Sequence, residues 1–311
     1  MSQFFFWVGF HVLLGGMLAL DLGVFNRKAR VVGVREALAW AGVWIGTALL
    51  FDLGIYWLFG SKPAYQFLTA YLIEKSLSVD NVFVFAMVFS YFGVPPVYQH
   101  RVLFWGILGA LVARLAFILA GVAAIKALHW VIYVLGAFLV FTGLRMAFQK
   151  GRTVHPERNP VFMLFRPVLA SGEYERGRFF ARDGGRLRLT PLLVVLLVVE
   201  SNDVIFAVDS VPAVLSITLD PFIAYTSNVL AILGLRSLYF VIGGMMGRFR
   251  YLHYGLAAIL VFVGAKMLVS EFYQIAAREA LPVVAVILCV SVVVSIVKKS
   301  GNGGEHGPTR S

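Results

Sequence analysis

The sequence predicts an all-α, polytopic membrane protein with about nine transmembrane helices, built around an inverted repeat of three plus three helices. Three observations predict this. Of 311 residues, 60% are hydrophobic and only 14% charged, with a mean hydropathy of +0.84; a soluble domain carries about a quarter charged residues. The chain holds nine apolar stretches near the roughly 20 residues that a helix needs to cross the hydrocarbon core. The central stretches also resemble one another at matched spacing.

In chain order, residues 1–60 hold two spans, at 3–25 and 36–59. The first has no basic n-region and Asp21 interrupts its end, so it reads as a retained span and not a cleaved signal peptide. Residues 61–148 form a first repeat with spans at 64–92, 102–125 and 129–148. Residues 149–190 are a basic loop. Its segment Phe179–Thr190 reads as a hairpin turning at Asp183-Gly184-Gly185. Residues 191–270 form the second repeat, with spans at 191–215, 221–246 and 251–270. Residues 271–297 carry the last span, 281–297, and the glycine-rich tail 298–311 is expected to be disordered.

The net charge is +11, and its distribution explains it. With the N-terminus outside, nineteen Lys and Arg residues fall on inside loops, nine of them between Lys150 and Arg188, while only Lys62, Lys126 and Arg278 fall outside. That asymmetry is the positive-inside pattern. It places the N-terminus outside and the C-terminus in the cytoplasm, and removes the reason to invoke nucleic acid. The 149–190 loop reads as a solvated connector, with protein partners and anionic lipid as its alternative contacts.

The repeat shows in two places. Tyr133–Met146 aligns without gaps to Tyr254–Met267 with eight of 14 positions identical, and Arg145 falls opposite Lys266. Upstream, Glu74-Lys-Ser-Leu-Ser-Val-Asp80-Asn-Val82 aligns with Asp203-Val-Ile-Phe-Ala-Val-Asp209-Ser-Val211. Each unit has an odd number of helices, so the second copy enters the membrane from the opposite side. In many secondary transporters the substrate sits where two such repeats meet.

Seven carboxylates lie in or at the ends of spans: Asp21, Asp52, Glu74, Asp80, Glu200, Asp203 and Asp209. An Asp at the centre of a span costs about 2.5–3.5 kcal/mol on insertion scales, so a cation, a basic partner, a proton or water must offset it. On a straight helix Glu74 shares a face with Ser78 and Asn81, whereas Asp80 points elsewhere. Converging the acids therefore takes two facing helices or local unwinding, for which Pro212 is a candidate. Asp80 and Asp209 are the first candidate metal ligands, Glu74 and Asp203 the second pair, as ligands or as gates that trade a proton for the metal, and Glu200 a fifth. Asn81, Asn202, Ser78 and Asp21 are possible further donors. Such an all-oxygen set suits Mg, Ca or Mn, and Met87 offers one soft donor toward manganese. The competing expectation is ion pairing, with Lys75, Arg114 and Arg236 as charge partners. The six histidines lie mostly at span ends or in loops and read as interfacial. The single cysteine, Cys289, excludes an internal disulfide.

There is no Walker A motif and no other nucleotide or catalytic signature, so neither a nucleotide cofactor nor an enzyme is expected. The motif Glu74–Phe85, with Thr190-Pro-Leu-Leu and Val199-Glu200-Ser-Asn-Asp203 through Pro212-Ala213, resembles the TerC family of bacterial membrane proteins. That family is named for tellurium resistance, and its Alx-type branch is the nearest. The resemblance covers residues 1 to about 297. It implies export of divalent metal, chiefly manganese, across the bacterial inner membrane, within a lysine-exporter-like superfamily, and metal handling by Glu74, Asp80, Glu200, Asp203 and Asp209. Ser201-Asn202 departs from the pairs usual in the family.

The sequence thus predicts a secondary transporter that exports a divalent cation, Mn²⁺ first, with protons as a candidate coupling ion. The alternatives are a non-transporting scaffold in a tellurite-resistance or membrane-protein-insertion complex, and a cationic amino-acid exporter.

Overall fold

The computed structural model describes residues 3–25, 33–148, 159–169, 174, 177–183, 186–243 and 252–300. They form eleven helices and one two-stranded hairpin: α1 Gln3–Phe25, α2 Val34–Phe59, α3 Ser61–Tyr91, α4 Pro96–Ala127, α5 Val131–Phe148, α6 Pro160–Leu169, β1 Phe180–Asp183, β2 Arg186–Leu189, α7 Pro191–Leu215, α8 Pro221–Leu233, α9 Leu235–Gly243, α10 Leu252–Leu268 and α11 Ala277–Ser300. Among the described residues, α2, α4, α5, α7 and residues 277–295 of α11 are long and apolar enough to cross a membrane. Residues 4–20 and α10 are shorter apolar helices.

Local chemistry sets the boundaries. Gly60 (φ +90°) alone separates α2 from α3, and Gly93 (φ +59°) turns the chain between α3 and α4; these are backbone conformations that glycine adopts without strain. Proline opens α4, α7 and α8, where its missing N–H is no loss. Asp220 caps α8, accepting from the backbone N–H groups of Phe222 (2.8 Å) and Ile223 (3.3 Å).

Two expectations differ from the structure. The stretch 221–246 is not one helix: it breaks at Gly234 between α8 and α9. The break is held by Lys75 of α3, whose Nζ donates to the Ala231 carbonyl at 3.1 Å. A Cβ at Gly234 would meet that amine, the movable end of a long side chain, so a larger residue there would shift the lysine from the carbonyl. A cation at the carbonyl end of a helix is favoured by the helix dipole. Pro212, by contrast, leaves α7 continuous to Leu215, and the helix ends within a turn of it. Lys266 of α10 donates to the carbonyl of Ser216, just past that end, at 2.5 Å.

The loop region contains α6, which the polar reading of 149–190 missed. Asn159 Oδ1 accepts from Val161 N–H (2.9 Å) and starts the helix, while Asn159 Nδ2 donates to Ser201 Oγ of α7 (2.8 Å). Strands β1 and β2 pair antiparallel, Phe180 opposite Leu189, as the hairpin reading expected. Its turn residues Gly184 and Gly185 lie outside the described residues, as does the tail from Gly301. Arg101 of α4 donates to the Gly177 carbonyl at 2.7 Å and Tyr174 to the Phe92 carbonyl at 2.5 Å, so this region is docked on the ends of α3 and α4.

Helices α5 and α10 pack backbone to backbone. A Cβ at Gly264 would lie 2.6 Å from the Gly136 carbonyl oxygen, and one at Gly143 2.8 Å from the Ala257 carbonyl oxygen. As the α5 number rises the α10 number falls, so the two run in opposite directions. Small residues permit this approach where dispersion, not hydrophobic burial, holds helices together. Gly264→Ala is expected to lower detergent stability by about 1–3 kcal/mol, read as an earlier midpoint in thermal unfolding; an unchanged midpoint would mean the helices separate freely.

Candidate functional site

The polar centre lies where α3, α4, α7 and α8 meet. Each of these helices brings between one and three polar side chains into an otherwise apolar core. From α4, Arg114 is fully buried. Its Nη1 donates to Glu74 Oε1 of α3 in a short contact and to Ser210 Oγ of α7 at 2.7 Å. Its Nη2 lies 3.6 Å from Asp203 Oδ1 of α7. The other oxygen of Glu74 accepts from Asn228 Nδ2 of α8 at 3.1 Å, and Asn81 Nδ2 of α3 donates to Asp203 Oδ1 at 3.4 Å. Glu74 and Asp203, equivalent in the repeat alignment, therefore share one guanidinium. The contacts link residue 81 to 203 and residue 74 to 210, so α3 and α7 run antiparallel across the site.

Beside this pair lies a cavity of about 20 Å³, lined by Leu77, Asp80, Asn81, Arg114, Met146, Phe206, Asp209, Ser210 and Leu260. The two aspartates that the repeat makes equivalent thus face one space, from α3 and from α7. One water needs about 10–15 Å³ measured this way, so the space takes one water-sized species. Asp203 Oδ2, Asn228 Oδ1 and Ser78 Oγ are buried without a hydrogen-bond partner among the described residues. A group that supplies donors or positive charge is what such oxygens lack.

The other candidates fall elsewhere. Glu200 lies against the α4 backbone, where a Cβ on Gly109 would overlap its carboxylate, and it is not among the cavity residues. Asn202 donates to its own helix at Val198 O (2.8 Å). Lys75 reaches the Ala231 carbonyl instead of a carboxylate. Arg236 is buried in the first turn of α9. Asp21 falls in α1, and its side chain lies outside the description. Met87 packs in the apolar cluster of Val84, Val88 and Leu103; Met146 of α5 is the methionine at the cavity. Among the described residues no three His, Cys, Asp or Glu side chains converge tightly enough to chelate a metal. Carboxylates here come in twos, and the remaining donors at the cavity are the Asn81 amide and the Ser210 hydroxyl.

Sequence reasoning passed over Asn228. Its signal was present: Thr226-Ser227-Asn228 is a polar triplet inside an apolar stretch, and all three are buried.

This arrangement, a bundle of apolar helices around a charged interior, is that of a multi-pass integral membrane protein. The family model for the integral membrane protein TerC family matches residues 59–302, and the chain belongs to that family. It is 48% identical to an uncharacterized membrane protein, STKORF319, of Myxococcus xanthus, over 97% of this chain and 94% of the relative. It is 46% identical to Alx of Salmonella typhi and 44% identical to Alx of Escherichia coli K12, each over 93% of both chains; both are named as proposed membrane-bound redox modulators. No solved structure matches the chain.

Removing one member of a buried ion pair strands the other. Arg114→Ala is expected to destabilise the protein by about 3–5 kcal/mol, and the double variant Glu74→Gln/Arg114→Gln by markedly less, in detergent unfolding. Equal losses in both would mean that the pair is not coupled.

Proposed function

We propose that the chain is a secondary transporter that exports a divalent cation, Mn²⁺ foremost, across the bacterial inner membrane, with Asp80 and Asp209 as its principal ligands. One observation carries this reading: the two repeat-equivalent aspartates line one small cavity in the interior of the bundle. Their oxygens, with Asn81 Oδ1 and Ser210 Oγ, form a hard donor set. The space takes one water-sized species, so an ion there takes its donors from these side chains; two carboxylates that can each bind through both oxygens, with the amide and the hydroxyl, offer up to about six oxygens.

The inverted repeat is part of the proposal. Shifting the contact Asn81–Asp203 by the 129 residues of the acidic alignment gives the pair Ser210–Glu74, the two side chains that share Arg114 Nη1. Shifting Gly136–Gly264 by the 121 residues of the second alignment gives Ala257–Gly143, the other close contact of α5 with α10. Contacts that map onto their own mates are what a two-fold relation between antiparallel units produces. It supports nine spans, with α8 and α9 as one broken span. Positive-inside charge supports the N-terminus outside. The broken span fits transporters whose discontinuous helices border the substrate.

A site of about 20 Å³ is too small for a cationic amino acid, since organic ligands occupy pockets of roughly 300 Å³ or more. The scaffold reading draws support from Arg114, which neutralises two of the acids internally. Deleting residues 149–190 separates it: a scaffold that works through this loop loses function, whereas a transporter keeps its ion flux. The redox role in the relatives' name would call for a bound carrier, because Cys289 is the only cysteine.

With protein reconstituted in vesicles containing a Mn²⁺-sensitive dye, wild type is expected to pass Mn²⁺, and Asp80→Asn and Asp209→Asn each to reduce the flux at least about ten-fold, the scale at which even an outer-shell partner of a metal ligand is felt. Undiminished flux in both variants overturns the ligand assignment.

A further inference from the structure

Glu74 differs from the two cavity aspartates. Both of its oxygens are used, one by Arg114 and the other by Asn228; it is fully buried, and it does not line the cavity. Arg114 does line the cavity. Its Nη1 is fixed on two partners, while Nε and Nη2 make no hydrogen bond among the described residues. A guanidinium remains charged at any physiological pH, so a permanent positive charge borders the space that Asp80 and Asp209 share.

We infer that Arg114 is an affinity-setting positioning residue, anchored by Glu74 and Asn228, whose fixed charge weakens the hold of Asp80 and Asp209 on a divalent cation enough for the ion to leave. This rests on the transport reading of the cavity. Four carboxylates in a poorly screened interior would trap a divalent ion, because interior charges interact far more strongly than charges in water. A transport site must bind well enough to load and weakly enough to unload. Arg114 supplies the opposing charge without occupying a ligand position. Glu74 holds that charge in place and is not itself a metal ligand, a reassignment of its role from the sequence reading. Arg114 is also too enclosed to swing away as a gate: Glu74, Ser210 and Asp203 surround its guanidinium.

The test is Mn²⁺ binding by calorimetry on the purified full chain, alongside vesicle flux. Arg114→Gln is expected to tighten binding by at least about ten-fold, the scale of removing one nearby interior charge, while slowing turnover. Arg114→Lys keeps the charge and should stay near the wild-type Kd. Glu74→Gln/Arg114→Gln removes one charge of each sign and should bind within a few-fold of wild type. Damage to the fold cannot mimic tighter binding with slower release. If Arg114→Gln does not fold, the double variant decides: near-wild-type affinity supports the inference, and lost binding overturns it by making Glu74 a ligand. Wild type that binds while folded Arg114→Gln binds no tighter overturns this inference alone. Wild type that binds no Mn²⁺ overturns the transport reading and this inference with it.

Discussion

A carboxylate in the hydrocarbon layer has no water to solvate it, and this constraint shapes the centre of the molecule. Glu74, Asp80, Asp203 and Asp209 lie on α3 and α7, helices whose remaining residues are largely apolar. Glu74 and Asp203 are offset by one guanidinium, that of Arg114, which reaches them from α4 and touches Ser210 on the way. Asn228 of α8 satisfies the outer oxygen of Glu74, and Asn81 of α3 donates to the same Asp203 oxygen that faces Arg114. Four helices are thus fixed around one charge, and the geometry of the adjoining cavity follows from where that charge sits.

The surrounding architecture serves the same placement. Glycines at 136, 143 and 264 let α5 and α10 cross at backbone contact, which brings Met146 and Leu260 onto the cavity as its apolar wall. Lys75 and Lys266, charges that the span would otherwise have to bury unpaired, are spent on carbonyls at the ends of α8 and α7. The break at Gly234 places both the end of α8 and the start of α9 beside α3. Asn159 joins α6 to Ser201, so the loop region is tied to the helix that bears three of the acids.

Much of this was legible before any coordinates. Apolar length gave the helices α1 to α5, α7, α10 and α11 nearly in place, because hydrocarbon thickness leaves little freedom in span length. The matched acids at 74, 80, 203 and 209 pointed to a shared centre, and the structure brings them there in two pairs. Which acid would pair with which base was not legible: Lys75, Arg114 and Arg236 were equal candidates, and only tertiary packing decides that Lys75 turns to α8 while Arg114, forty residues on, takes Glu74. The break at Gly234 was missed for the same reason, since one glycine in an apolar run is read as tolerated and nothing local announces the lysine that reaches the Ala231 carbonyl from α3. Helix α6 was hidden by the arginines and glycines around it, although Asn159-Pro160 followed by an apolar turn is a helix start. Glu200 and Asn202 shared a motif with Asp203 and Asp209 and, by helical rotation, a face with each, yet Glu200 lies against α4 and Asn202 donates to its own backbone.

The most direct measurement is electron paramagnetic resonance of Mn²⁺ added to the purified protein, with Asp80→Asn and Asp209→Asn compared side by side. One bound ion per chain, with a signal that either single substitution removes or reshapes, is the result expected when both aspartates face the same ion. A signal that survives both substitutions unchanged, or two ions each answering to only one aspartate, would contradict a shared site at the meeting of α3 and α7.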